Sequence, residues 1–161
     1  MKSFKAYLGA WVVLGSILLL SACGGNELDI PDQPLEGTIN GEAWKYGSAN
    51  AFRLSADGLF QARFLSDREP VIDPCTRPFP GLVHVKAIFR PSIGDFSVAP
   101  VAIDNNQVQA AFEISPSTSL IAVSGFMSIF DINNSAVVGY LQVILDDGNS
   151  VEGAFRMSIC D

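Results

Sequence analysis

The stretch LEGTINGEAWKY, residues 35–46, predicts a β-hairpin. The pair Asn40-Gly41 stands at its centre, and both residue types accept the positive φ angles of a two-residue type I′ turn. Trp44 and Tyr46 have the same parity in the second strand, so both are expected to point inward, with Lys45 outside. The body of the protein is therefore expected to begin with antiparallel strand pairing.

Short segments of alternating or continuous apolar residues, bounded by turn residues, follow this hairpin. They lie at 51–56, 59–65, 82–89, 107–114, 119–130, 136–145 and 151–160, and a further short strand is expected to open at Gly94. A period of two residues is typical of half-buried antiparallel strands, and no long stretch has the 3.6-residue period of a helix. The sequence therefore predicts an all-β body of about nine or ten short strands, either a single antiparallel β-sandwich or a small β-barrel.

The segment that precedes this body has the order of a bacterial export signal. Lys2 and Lys5 form a short basic region, residues 6–20 carry no charge, and Leu20-Ser21-Ala22-Cys23 ends the run. These four residues resemble the lipobox of bacterial lipoproteins. The resemblance implies cleavage just before Cys23, a diacylglyceryl group on its sulfur, and acylation of the new amino group. An uncleaved anchor, for which the run is short, and an ordinary secretory signal are the alternatives.

The lipobox resemblance also implies a domain organisation and a location. We expect a signal peptide at 1–22, a lipidated N-terminus and flexible tether at 23–34, and the β-sandwich or barrel domain at 35–161. Two or more acyl chains hold a protein firmly at a bilayer, because each buried methylene contributes about 0.8 kcal/mol. The expected location is the cell envelope. The outer membrane is favoured in a Gram-negative host, since Gly24 rather than an aspartate follows the lipidated cysteine.

The two ends of the body resemble uncharacterised β-rich lipoproteins of Gram-negative bacteria. Those proteins open with a Gly-x-x-Asn-Gly-x-x-Trp hairpin, matched here from Gly37 to Trp44, and close with a Gly-x-Phe strand, matched from Gly153 to Phe155. The shared residues are turn glycines and core aromatics. The resemblance therefore supports the all-β fold and implies no activity.

One long segment, residues 66–81, interrupts the strand pattern with four prolines and Cys75. Because the protein is expected in an oxidising compartment, Cys75 and Cys160 are predicted to form a disulfide, with two buried thiols as the alternative. Parity puts Cys160 on the outer face of the last strand, so the segment would be strapped across the outside. Loops of this length are either functional or pinned, and the candidate interaction residues in this one are Arg68, Arg77 and Phe79.

Charge limits the range of partners. The chain has 10 basic and 17 acidic residues, for a net charge of −7, and loss of the leader would remove two of the lysines. An acidic body is a poor partner for nucleic acid or anionic headgroups. The expected partners are the membrane, through the lipid on Cys23, and a protein or small apolar ligand in the envelope.

Residues that could carry catalysis are sparse. His84 is the only histidine of the chain; it shares the polar face of its strand with Lys86 and is predicted to be exposed. No G-x-S-x-G motif is present. The acidic residues at 146–149 lack EF-hand spacing and fit a hairpin turn, while Glu113 and Glu152 fall on polar faces. We therefore predict no catalytic, metal or cofactor site.

Three hypotheses about function remain. The first is a non-enzymatic envelope lipoprotein whose β-domain binds a partner or has a structural role. The second is a carrier of a small apolar ligand inside a lipocalin-like barrel, which depends on the strand count and on 11 phenylalanines. The third is an envelope hydrolase, which a cleft that gathers Asp, Ser and His84 would favour.

Overall fold

Ten β-strands and no α-helix make up the part of the chain that the computed structural model describes, residues 32–54, 58–68, 73, 75, 83–101, 104–146 and 148–160. The strands are β1 (Glu36–Ile39), β2 (Glu42–Arg53), β3 (Phe60–Ser66), β4 (His84–Phe89), β5 (Gly94–Val98), β6 (Gln107–Ser115), β7 (Thr118–Ile121), β8 (Ser124–Ile132), β9 (Ala136–Asp146) and β10 (Asn149–Cys160). Within these residues, no helix has the length and apolar character needed to cross a bilayer.

Nine of the strands close into a barrel, and β7 lies outside the ring. The order around the ring is β4-β3-β2-β1-β10-β9-β8-β5-β6, and the antiparallel pairing of β4 with β6 closes it. Neighbouring strands are antiparallel except for β5 with β6 and β10 with β2. The prediction of an all-β fold is confirmed, and of the two architectures left open the protein adopts the barrel.

The opening hairpin forms as predicted. Asn40 and Gly41 have φ angles of 54° and 77°, and Ile39 pairs with Glu42 on either side of them. Trp44 is buried and Tyr46 half-buried, whereas Lys45 is exposed. The Tyr46 hydroxyl donates to the carbonyl oxygen of a residue in β10, and burial raises the pKa of Tyr46 to about 12. The hairpin is thereby attached to the last strand of the chain.

The segments 42–46 and 51–56 were predicted as separate strands, and this is wrong because residues 42–53 form one strand, β2. Pairing with β3 shifts register between Tyr46 and Ser48. At Gly47, an added Cβ would lie 2.6 Å from the Cα of Asp67, so the bulge brings two backbones together. A bulge reverses the parity of the residues that follow it, which makes one strand resemble two in the sequence.

The prediction of a single strand over 119–130 is also wrong, because Ala122 and Val123 separate β7 from β8. The amide of Ala122 donates to the carbonyl of Ala110 in β6 at 2.9 Å, and the amide of Val123 donates to Ile144 in β9 at 3.0 Å. The chain therefore changes neighbours between these two residues. The residues before and after this point are both apolar, so the sequence does not indicate where one strand ends and the next begins.

Large apolar side chains from all around the ring pack in the interior. Phe64 of β3 meets Phe155 of β10 edge to face, with ring centroids 5.1 Å apart. An added Cβ at Gly139 would lie 2.7 Å from Cζ of Phe155, so the absence of a side chain there makes room for the ring. Fully burying one such aromatic contributes about 1.5–3 kcal/mol. The fully buried residues of greatest volume include Phe64, Phe89, Phe112, Leu35, Ile39, Met127, Ile129, Leu141 and Met157.

Candidate interaction surface

The disulfide between Cys75 and Cys160 is present, with the two Cα atoms 5.4 Å apart. In β10, Phe155 and Met157 are buried in the interior, and Arg156 is exposed on the opposite face. Cys160 has the parity of Arg156, so the bond lies on the outside of the barrel, as predicted. It ties the long segment between β3 and β4 to the last strand of the chain.

A shallow pocket of about 130 Å³ lies where this segment leaves β3 and where it returns toward β4. Three parts of the chain meet there: the turn region of the first hairpin, the end of β3, and the residue before β4. The lining residues are Ile39, Glu42, Ala43, Trp44, Ser66, Arg68 and Val83. We call this site the Trp44 pocket.

Trp44 forms the rigid wall of the Trp44 pocket. Only 5% of the residue is exposed, and its indole Nε1 donates to the carbonyl oxygen of Val83 at 3.3 Å. A buried tryptophan with a satisfied N–H has a fixed orientation. The prediction that Trp44 belongs to the core is correct. The sequence does not indicate that its indole also borders a surface pocket, because Val83, which completes the pocket, is distant along the chain.

Arg68 lies at the rim of the same pocket. Its Nη1 is 3.6 Å from Oε2 of Glu42, and its Nη2 donates to the carbonyl oxygen of Ala43 at 3.5 Å. Both charged side chains are about two-thirds or more exposed, and such pairs contribute little to stability. The guanidinium is therefore accessible to an acidic group of a partner.

Arg68 is the one residue of the predicted interaction set that falls among the described residues. Arg77 and Phe79 lie outside them, as does the predicted lipidation site, Cys23.

The prediction that His84 is exposed is wrong. The residue does lie on the outer face of β4, opposite Glu113 in β6, but only 8% of it is exposed. Outward-facing residues of the neighbouring strands are buried as well, among them Asn50 and Arg63. This part of the outer face is thus covered, and strand parity does not reveal that a face is covered.

Glu113 is the centre of a small polar cluster on this face. It accepts hydrogen bonds from the Lys86 ammonium and, at 3.0 Å, from the Ser119 hydroxyl. Burial favours a higher pKa for Glu113, but these hydrogen bonds and the charge of Lys86 outweigh it and leave the pKa below its ordinary value. The carboxylate is therefore ionised and neutralised by Lys86, as expected of a structural ion pair.

The acidic turn between β9 and β10 also has a structural explanation. Oδ1 of Asp146 accepts from the amide of Gly148 at 3.0 Å and from Nδ2 of Asn149 at 2.8 Å. These bonds lower the pKa of Asp146 and define a hairpin turn, as the sequence predicted. Within the described ranges, no three His, Cys, Asp or Glu side chains are grouped so that they could hold a metal ion.

No family model matches the chain, and comparisons with curated proteins and with solved structures find no match.

Proposed function

We propose that this protein is a lipoprotein of the bacterial cell envelope, anchored through acyl chains on Cys23, whose barrel binds a partner and catalyses no reaction. The observation that carries the proposal is the quartet Leu20-Ser21-Ala22-Cys23 at the end of an uncharged run. An anchor of two or more acyl chains holds a soluble barrel at a bilayer without a membrane-spanning segment.

The start of the barrel is consistent with a tether that ends near residue 34. Leu35 is fully buried, and its amide donates to the carbonyl of Ala154 in β10 at 3.1 Å. The carbonyl of Gln33 accepts from the amide of Ala154 at 2.8 Å. Residues 32–34 are exposed on the barrel surface. Among the described residues, the contacts that Gln33 and Leu35 make with β10 lie next to the boundary expected between tether and body.

Fractionation of cells tests the anchor. Cys23→Ser removes the acceptor thiol, so we expect the protein to move from the membrane pellet to the soluble fraction or to be retained with its leader uncut. Ser21→Ala is the matched control, since it keeps a small residue at its lipobox position, and it should remain in the pellet. Equal partitioning of Cys23→Ser and the unmodified chain, with the leader cut from both, would contradict the proposal.

The Trp44 pocket is the surface that we propose for binding. It combines an apolar wall, a fixed indole and an exposed guanidinium, which together suit a partner side chain that is apolar and lies next to a carboxylate.

Arg68→Glu should reduce the yield of partner recovered by cross-linking in intact envelopes by about tenfold, which corresponds to about 1.4 kcal/mol of binding free energy. Arg156→Glu is the control, because Arg156 is exposed on β10 and does not line the pocket. Equal recovery with both variants would exclude this pocket as the binding surface.

The alternative proposal is a carrier of a small apolar ligand, and the closed ring of strands is the observation that favours it. Against it, the side chains described within the ring contact one another, as Phe64 does with Phe155. We therefore expect no saturable increase in fluorescence when the folded protein is titrated with an apolar dye such as 1-anilinonaphthalene-8-sulfonate. Saturable binding at one site per chain would favour the carrier.

A further inference from the structure

The edge of β7 that faces away from β6 is open, and we expect a partner to bind there. Among the described residues, β7 pairs only with β6. The amide of Ala122 donates to β6, so even-numbered residues of this segment direct their backbone groups to β6. The N–H and C=O groups of Ser119 and Ile121 therefore point to the open edge, since strand residues alternate.

β7 has four residues, and its pairing with β6 shifts register between Glu113 and Ser115, but the strand itself carries neither a charge nor a proline. Exposed edges in natural sheets carry charges, prolines or bulges that block further pairing. Here no charged residue occurs between Glu113 and Asp131, and Pro116 lies in the turn before β7. Apolar side chains beside the edge are exposed instead: Ile121 by 46%, Val123 by 57% and Phe126 by 38%. Exposed apolar side chains beside an uncharged edge are typical of an interaction site.

The distribution of charge indicates which partner fits. The chain has a net charge of −7, so two copies repel each other across most of their surfaces. The uncharged stretch around β7 allows close approach without that cost. The nearest carboxylate of β6, Glu113, is neutralised by Lys86, and Asp146 at the end of β9 accepts hydrogen bonds within its own turn. A second copy of this chain that approaches this edge is therefore not repelled by an unneutralised carboxylate of β6.

We propose that two copies of the protein associate edge to edge through β7, in antiparallel orientation and about a two-fold axis near Leu120. In this arrangement Ser119 of each copy pairs with Ile121 of the other. Both residues direct their backbone groups outward, so one edge complements itself and four N–H···O bonds form across the axis. The dimer places Ile121 of each copy against the other strand, and it does not depend on the lipid at Cys23.

Light scattering on the full chain in detergent, over a wide range of protein concentration, tests the dimer. We expect the mass of two chains for the unmodified protein. Ile121→Lys puts a charge on the edge, and Ser119→Pro removes one outward N–H while leaving the bonds to β6, so each should give the mass of one chain. Ile93→Lys is the control for the first variant, since Ile93 is exposed and precedes Gly94, which pairs with Ile129 at the end of β8 away from β7, and Ser119→Ala is the control for the second. Both controls should remain dimeric.

Two results would overturn the dimer. One is a single-chain mass for the unmodified protein across the whole range, which would also be the outcome if the edge binds a different protein. The other is a dimer that persists in both Ile121→Lys and Ser119→Pro. Circular dichroism and the unfolding midpoint of each variant are measured in parallel, so that loss of the dimer is assigned only to variants that fold.

Discussion

Gly139 in β9 lies against the ring of Phe155 and the backbone of Ser128. A methyl group there has no space unless the aromatic ring or the neighbouring strand moves. We expect Gly139→Ala to lower the free energy of unfolding by about 1–3 kcal/mol, the usual cost of overpacking, in a urea titration. Gly148→Ala is the control, because the nearest atom to its added Cβ is 3.8 Å away. Equal stability of the two variants would show that the interior has spare volume.

Glu113 makes stability depend on pH with a defined sign. Its pKa in the folded protein is below its ordinary value, so its contribution is present above the pKa of the unfolded chain and is lost as the pH falls through the folded pKa. Glu113→Gln should therefore lower the free energy of unfolding by about 1 kcal/mol at neutral pH and by less in acid. Urea titrations at pH 7 and pH 3 measure this difference. The same loss at both values would contradict the role of the ionised carboxylate.

Strand parity predicts the face of a residue but not what lies on that face. In β4, Val85, Ala87 and Phe89 are buried and lie on the face opposite His84 and Lys86, as the alternation of apolar and polar residues in this segment indicates. His84 was assigned to the correct face and the wrong environment, because strand parity does not show whether an outer face is covered.

At the scale of elements, the disulfide between Cys75 and Cys160 joins residues 85 positions apart. Restricting so long a loop in the unfolded chain stabilises the native state by about 2–5 kcal/mol. Replacing both cysteines with serine should lower the free energy of unfolding by this amount, and a reducing agent should lower that of the unmodified protein equally. The double variant should in turn be insensitive to the reducing agent. A loss below 1 kcal/mol would show that the bond does not constrain the fold.

Local signals at the turns predicted most strands, and changes of neighbour within a strand were the source of the errors. Asn40-Gly41 and the residues at 146–149 specify their turns by their own conformational preferences, so the hairpins could be predicted. The bulge at Gly47 and the break after Ala122 depend on the backbone of other strands. Gly47 is a local signal of its bulge, whereas nothing within residues 119–130 indicates where the strand breaks.

At the scale of the whole molecule, ring closure distinguishes a barrel from a sandwich. The deciding pairing joins β4 to β6, as in Val85 with Phe112. The alternation of apolar and polar residues in these two strands would be the same in a barrel and in a sandwich, so it could not distinguish the two architectures. The candidate surface was predicted only in part: Arg68 was named from its loop, whereas Trp44 and Val83 became part of the site through a contact that only the folded chain makes.

We propose above all that acyl chains on one cysteine hold this barrel in the envelope. Intact-mass spectrometry of the protein recovered from its host's membranes tests the claim most directly. We expect a polypeptide that begins at Cys23, with added mass equal to a diacylglyceryl group and an N-acyl chain. A polypeptide that retains residues 1–22, or that begins at an unmodified Cys23, would contradict it.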